Sequence, residues 1–296
     1  MRVITIIYTA YGSISLILYL IVFIIINRLG TILSGPFSKL ILLHSIVNII
    51  SYLTSWYSHR MRVEPLFWPV YESLNNYDFL RNFLTFLMPL TNYNQSVSNF
   101  LLTVNRFTAI LWYNASWPVM IISIVVGSSC ACSRLPMFTV WNYSTEDKYY
   151  FIQHKINLGA FWYQIGFCSI LLIICTVLNG FSIMKLRKLG ESKEIRETER
   201  SFFFVALCTF VAECANLFML TGKQISQSYG YMNLWLAFNV GSPYVTDVCS
   251  LGLPYYLLLV KGPIRQRLRE IICATKDRPV VTVLSGRPKL PSNETG

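Results

Sequence analysis

Three groups of residues in this chain have the types and spacing to do chemistry, and all three sit inside apolar stretches. Glu213 lies in the run 201–222, Asp247 in 238–260, and the polar series Thr91-Asn92-Tyr93-Asn94-Gln95-Ser96 in 83–111. An ionisable or amide group in hydrocarbon surroundings is costly unless it is paired, so Asn92, Tyr93, Asn94, Gln95, Glu213 and Asp247 are candidates for ligand contact. The residue patterns of catalysis are missing: there are no paired aspartates, no GxSxG serine and no phosphate-binding glycine loop. His44, His59 and His154 have neither HxxxH nor HExxH spacing, and Cys130-Ala131-Cys132 lacks the spacer and second pair of a zinc site. The pattern is that of a small-molecule binding site with a few polar anchors, without cofactor or metal, and not that of an enzyme.

A second constellation closes the third apolar run. Arg106 follows Asn105 and precedes Phe107, and the later stretch 185–200 carries Glu197 and Glu199 into the sixth run. An arginine at one helix end and carboxylates at its neighbour can pair and hold one mouth of a bundle closed; breaking the pair lets the sixth helix move. The other reading is that Arg106 only extends its charge to lipid headgroups.

The elements that position these groups follow from composition. Of 296 residues, 54% are hydrophobic, 15% aromatic and 13% charged, and the mean hydropathy is +0.47. A soluble domain carries roughly 25% charge, so the chain reads as a polytopic membrane protein. Seven segments approach the roughly 20 residues needed to span a bilayer: 3–26, 40–57, 83–111, 118–140, 158–184, 201–222 and 238–260. Backbone groups in hydrocarbon must bond within their own segment, which makes the fold all-α, a seven-helix bundle. The run from Val3 to Ile26 exceeds the core of a cleavable signal and reads as the first span.

Placing the N-terminus outside puts 17 lysines and arginines on the inner side and 8 on the outer, which favours that orientation and a cytoplasmic C-terminus. Most of the net charge of +11 flanks apolar segments, in 185–200 and 261–289, where it meets anionic lipid instead of nucleic acid. Ile264, Leu268, Ile271 and Ile272 share one face with Arg265, Arg267 and Arg269 around it, a basic surface helix over 262–273. Cys273 at its end is a lipidation candidate, and the tail 274–296, rich in Pro, Ser and charge, reads as disordered. The outer loop 58–80, rich in Pro and aromatics, should lie along the interface. Asn142 heads a glycosylation sequon on the outer side, close enough to a helix end to disfavour its use.

The midpoints of the third, sixth and seventh spans fall near residues 97, 212 and 249. Glu213 and Asp247 then sit within about one helical turn of the bilayer centre, at the depth where the polar series of the third helix begins. One cavity lined by all three and open outward is the expectation. The alternative is that Glu213, protonated or paired with Asn216, only joins helices.

Three blocks in order resemble the nematode serpentine receptor class gamma (Srg) family: "GPFSKLILLHSIVNIISYLTSWYSHRMRVEP" (35–65), "LLTVNRFTAIL" (101–111) and "DVCSLGLPYYLLLVKGPIRQRLRE" (247–270). The resemblance covers most of 35–272. It implies a chemoreceptor of the seven-helix, G-protein-coupled kind at a sensory-neuron surface or cilium. It also implies a small-molecule ligand, a heterotrimeric G protein as partner and a lipid bilayer as surroundings. By the same likeness Asn105, Arg106 and Phe107 engage the G protein, and Asp247, Pro254 and Tyr255 belong to a switch region of the seventh helix. Two features depart from such receptors. Neither 79–90 nor 141–157 contains a cysteine, so the disulfide that ties the third helix to the following outer loop in rhodopsin-like receptors is absent. Only eleven residues separate Arg106 from Pro118, and the turn "YNAS" is uncharged, which leaves a small second inner loop.

Other function classes leave different marks. An odorant-gated channel of the insect type has an inside N-terminus. A transporter favours internal repeats and helices broken near the midplane, and repeats are not apparent here. A folded but signalling-defective receptor is the reading favoured by the short loop.

Overall fold

Burial in this chain is inverted relative to a water-soluble protein. Along the first helix Ile6, Ile7, Ile14, Ile17, Leu20 and Ile24 face outward, while Thr5 and Ser15 are buried. The same pattern recurs later, with Ile170, Ile173, Val177 and Phe181 outside and Gln164, Asn179 and Ser182 inside. Apolar exteriors and hydrogen-bonded polar interiors are what a hydrocarbon solvent selects. The computed structural model describes residues 3–28, 36–111, 139–144, 149–154, 158–188 and 193–259, with the isolated residues 125, 129 and 265.

The chain is a helical bundle. Helix α1 is Val3–Arg28 and α2 is Pro36–Ser55. The chain continues from α2 through a π-turn at Trp56–Arg60 and two 3₁₀ turns into the short α3, Trp68–Asn75. Then come α4, Asp78–Leu111, and a hairpin of β1, Thr139–Ser144, and β2, Tyr149–His154. Helices α5, Leu158–Lys188, α6, Lys193–Ser228, and α7, Met232–Leu259, follow. The fourth predicted span, the surface helix 262–273 with Cys273, and the tail 274–296 lie outside the described residues, apart from the isolated positions above. Among the described residues four helices are long and apolar enough to cross a membrane, at 5–27, 38–63, 161–185 and 200–228. Helix α4 carries the polar series, and α7 carries Asp247 and two internal prolines.

Helix α6 packs along α7, α2 along α4, and α4 along α5, while α1 leans on α7. One core joins them: Tyr19, Val22 and Ile25 of α1, Leu40 and Ile41 of α2, Val97, Leu101 and Leu102 of α4, Phe202 and Val205 of α6, and Leu251, Leu253 and Leu257 of α7. Pro254 within α7 has no N–H to bond the carbonyl of Ser250. The Tyr19 hydroxyl of α1 fills that gap, donating to Ser250 O at 2.6 Å.

The loop after α2 forms structure of its own, where the sequence suggested only an interfacial segment. Tyr71 of α3 is fully buried, stacks on Tyr57 with ring centres 5.4 Å apart, and donates to Tyr57 O at 2.5 Å. Burial, and then the neighbouring Tyr57, pushes the Tyr71 phenol pKa up. Trp68 of α3 meets Tyr143 of β1 edge-on at 4.9 Å, which docks the hairpin on this loop. The antiparallel register runs from Thr139 opposite His154 to Ser144 opposite Tyr149. The sequon residue Asn142 thus lies within a strand, opposite Phe151.

Candidate functional site

Helix α4 distributes its polar residues over two faces. Ser96, Asn99 and Thr103 stand at i, i+3 and i+7, which puts them on one face of a helix. That face looks toward α5 and α6. Cys168, Leu171, Leu172 and Cys175 of α5 follow the same spacing and look back. With Phe210 and Glu213 of α6 these residues line a small cleft with room for about one water molecule.

The polar contacts inside the cleft are few. The Ser96 hydroxyl donates to Glu213 Oε1, and Cys168 Sγ lies 3.4 Å from Ser96 Oγ. Asn99 Nδ2 donates to the Thr209 carbonyl at 3.1 Å, and its Oδ1, though buried, has no partner among the described residues. Glu213 is only 4% exposed, and neither ion pair found among the described residues includes it.

The other face of α4 is tied to α2 and α7. Gln95 Nε2 donates to Asn48 Oδ1 at 2.9 Å and to Ser250 Oγ at 3.0 Å, and Gln95 Oε1 accepts from Ser51 at 3.0 Å. Asn48 Nδ2 in turn reaches the Tyr19 hydroxyl at 3.3 Å. Ser98 Oγ hydrogen-bonds His44 Nδ1 at 2.6 Å. Gln95 is therefore a fully used node between helices. Tyr93 is buried against Phe167 at 5.4 Å, and the half-buried Asn94 bonds back to the Leu90 carbonyl at 2.9 Å. Asn92 is half-buried, with its carbonyl accepting from Ser96 at 3.3 Å. None of Asn92, Tyr93, Asn94 and Gln95 is among the residues that line the cleft.

Asp247 occupies a different cluster. The π-turn at Trp56–Arg60 carries the helix of α2 past its last regular turn, and Arg60 is drawn into the bundle, 4% exposed. Such wide single turns re-aim the residues that follow them. Arg60 Nη2 forms an ion pair with Asp247 Oδ2, and the Tyr11 hydroxyl of α1 donates to the same oxygen. The guanidinium lies 4.3 Å from the centre of the Tyr8 ring, within the range of a cation–π contact. Tyr8 meets Tyr244 of α7 edge-on at 5.5 Å. Arg60 Nε and Nη1 and Asp247 Oδ1 have no hydrogen-bond partner among the described residues, so the pair is balanced in charge without being saturated. At the same end Thr5 of α1 donates to the buried Glu64 at 2.5 Å.

At the opposite end of α4, Arg106 is buried, donates from Nη2 to Asn105 Oδ1 at 2.9 Å, and lies 5.4 Å from the Phe202 ring of α6. Phe107 is half-buried. The side chains of Glu197 and Glu199 lie outside the described residues, so the structure joins Arg106 to α6 through Phe202. Pro254 is buried in α7, whereas Tyr255 is partly exposed and bonds the Ser15 hydroxyl of α1 at 2.9 Å.

Sequence reasoning missed Arg60, Tyr8, Tyr11, Asn99, Thr103, Cys168 and Cys175. The i, i+3, i+7 spacing from Ser96 was a usable signal for two of them, and the matching spacing of the two cysteines for two more.

Residues 5–268 match the sequence pattern of the family described as Srg family chemoreceptor. Serpentine receptor class gamma-9 of Caenorhabditis elegans is 26% identical over 209 residues, which cover 64% of this chain and 60% of that protein. The aligned part thus spans under two thirds of that relative's length. The family match extends over nearly the whole chain, and the chain belongs to the Srg family of chemoreceptors, a family of membrane receptors and not of enzymes.

Proposed function

We propose that this Srg-family chain is a chemosensory receptor that binds a small molecule in the cleft between α4, α5 and α6 and signals by moving α6. The cleft carries this reading: a carboxyl and an amide oxygen without a partner among the described residues face a small space walled by Leu171, Leu172 and Phe210. Helix α6 links this space to Arg106. Glu213 and Phe202 are eleven residues apart on one helix, about 16 Å at 1.5 Å per residue. A ligand that shifts α6 at Glu213 also shifts the ring that covers Arg106. Withdrawal of Phe202 frees the guanidinium for a heterotrimeric G protein, on the inner side if the N-terminus is outside, as the distribution of lysine and arginine favours. The plasma membrane of a sensory neuron is the setting that fits.

In cells carrying a G-protein reporter and an active ligand from a screen, Arg106→Ala should abolish the response with surface expression near normal. Unchanged signalling would remove that role. Glu213→Gln should shift ligand potency, and lost expression with unaltered potency would favour a purely structural acid. An extracellular tag at the N-terminus separates this reading from a channel with an inside N-terminus.

A second reading rests on the span after Arg106. Helix α4 is described as far as Leu111, and only 112–117 lie between it and Pro118 in the sequence. A receptor with so small a second inner loop has little surface for a G protein and can bind without signalling. Sequencing the transcript across codons 106–120 tests whether the short loop is genuine.

A further inference from the structure

The polar walls of the cleft between α4, α5 and α6 are short of donors. Asn99 is held by its Nδ2 bond to Thr209 O at 3.1 Å, and this fixes the amide, because the flipped form would set two oxygens against each other. Its Oδ1 is left buried without a donor among the described residues, on a side chain that lines the cleft. Glu213 brings a second acceptor. Ser96 has one hydrogen, yet two oxygens lie within its reach, Glu213 Oε1 and the Asn92 carbonyl. Both contacts are satisfied at once when Glu213 carries a proton and donates it to Ser96 Oγ, which leaves the Ser96 hydrogen for Asn92 O. A buried acid with no cation among the described residues takes this neutral form. Its Oε2 is then a carbonyl oxygen, and the described residues give it no hydrogen bond.

Two acceptors border a space for about one water molecule, and the two O–H hydrogens of water match them. Thr103, one turn along the same face of α4, adds a hydroxyl to the lining. We propose that the cleft binds a single water molecule that donates one hydrogen to Asn99 Oδ1 and the other to Oε2 of a neutral Glu213, bridging α4 to α6. The site belongs to the receptor before any ligand enters, so it goes beyond the ligand reading and stands apart from it. Movement of α6 away from α4 breaks the bridge.

Radiolytic labelling detects such a water: an X-ray pulse turns it into hydroxyl radicals, which oxidise the side chains beside it where bulk solvent does not reach. The full-length chain in ether-lipid nanodiscs is pulsed, and oxidation is followed by mass spectrometry. Cys175 lines the cleft and is buried; Tyr19, fully buried elsewhere in the bundle, is the reference once each rate is divided by the intrinsic reactivity of its side chain. Cys175 is expected to be oxidised well ahead of Tyr19. It should keep that lead in Glu213→Gln, whose amide oxygen still accepts from water, and lose it in Glu213→Leu. Ether lipids have no ester carbonyl, so the infrared band of a protonated carboxyl can be read in the same samples. That band is expected in the parent, lost in Glu213→Gln, and moved to higher frequency in Asn99→Leu, where the water is no longer held. Equal oxidation of Cys175 and Tyr19 in the parent would overturn the water site. A parent without the band, or a band that survives Glu213→Gln, would overturn the neutral acid, and an unmoved band in Asn99→Leu would overturn the bridge. If the leucine variants do not fold, the parent labelling and the Glu213→Gln band still decide.

Discussion

Two buried carboxylates at similar depth behave differently in this molecule. Asp247 has its counter-charge inside the chain: Arg60 pairs with it, Tyr11 donates to it, and Tyr8 covers the guanidinium. Glu213 has only a serine hydroxyl among the described residues and borders the small cleft. The lesson is that an intramembrane acid is a functional candidate to the degree that its charge is left unanswered by its own chain. Asp247 ties α7 to α1 and to the turn after α2, whereas Glu213 has no charged partner among the described residues.

The comparison can be broken from either side. The largest effect is expected from Arg60→Ala, which strands the Asp247 carboxylate among tyrosines. Removing one partner of a buried pair costs about 3–5 kcal/mol, so this variant should show a sharply lowered melting temperature or fail to reach the surface. Arg60→Ala with Asp247→Ala should recover part of that loss. A double variant no better than the single would mean that the pair is not coupled.

Next in size is Gln95→Leu, which leaves Asn48, Ser51 and Ser250 without their shared partner. Unsatisfied buried groups cost about 1–3 kcal/mol, read in thermal unfolding of the purified receptor. Tyr19→Phe should cost about 1 kcal/mol, because the Ser250 carbonyl opposite Pro254 loses its donor. Substituting the glycine that neighbours Tyr52 tests the contact of α1 with α2 sterically. A Cβ on Gly12 would collide with the Tyr52 hydroxyl, so Gly12→Ala should loosen α1 from α2. The smallest effect on stability belongs to Glu213→Gln, which replaces a carboxyl that pairs with no cation among the described residues. Its stability should stay within about 0.5 kcal/mol of the parent or exceed it; a loss above 2 kcal/mol would place Glu213 with Asp247.

Much of the bundle was legible in the sequence. The long apolar segments announce α1, α2, α5 and α6, and the family blocks at 35–65, 101–111 and 247–270 lie within the matched residues 5–268. The site was legible in its parts and not in their grouping. Depth can be read from distance along a helix, so Glu213, Asp247 and the third-helix run were expected around one cavity. Facing direction turns by about 100° per residue, and a difference of one residue sends Gln95 to α2 and α7 while Ser96 meets α6. Arg60 escaped notice because a charge just beyond an apolar run reads as loop. The π-turn that carries it inward leaves no residue pattern to detect. Cys168 and Cys175 looked like packing thiols, and only their facing residues give them a place in the cleft.

Melting curves of Glu213→Gln and Asp247→Asn, recorded side by side on full-length protein in the same nanodiscs, test the central distinction most directly. The account predicts that Glu213→Gln melts at or above the parent while Asp247→Asn, with Arg60 left buried and unpaired, melts more than about 5 °C below it. Equal losses in the two variants, or a larger loss for Glu213→Gln, would contradict it.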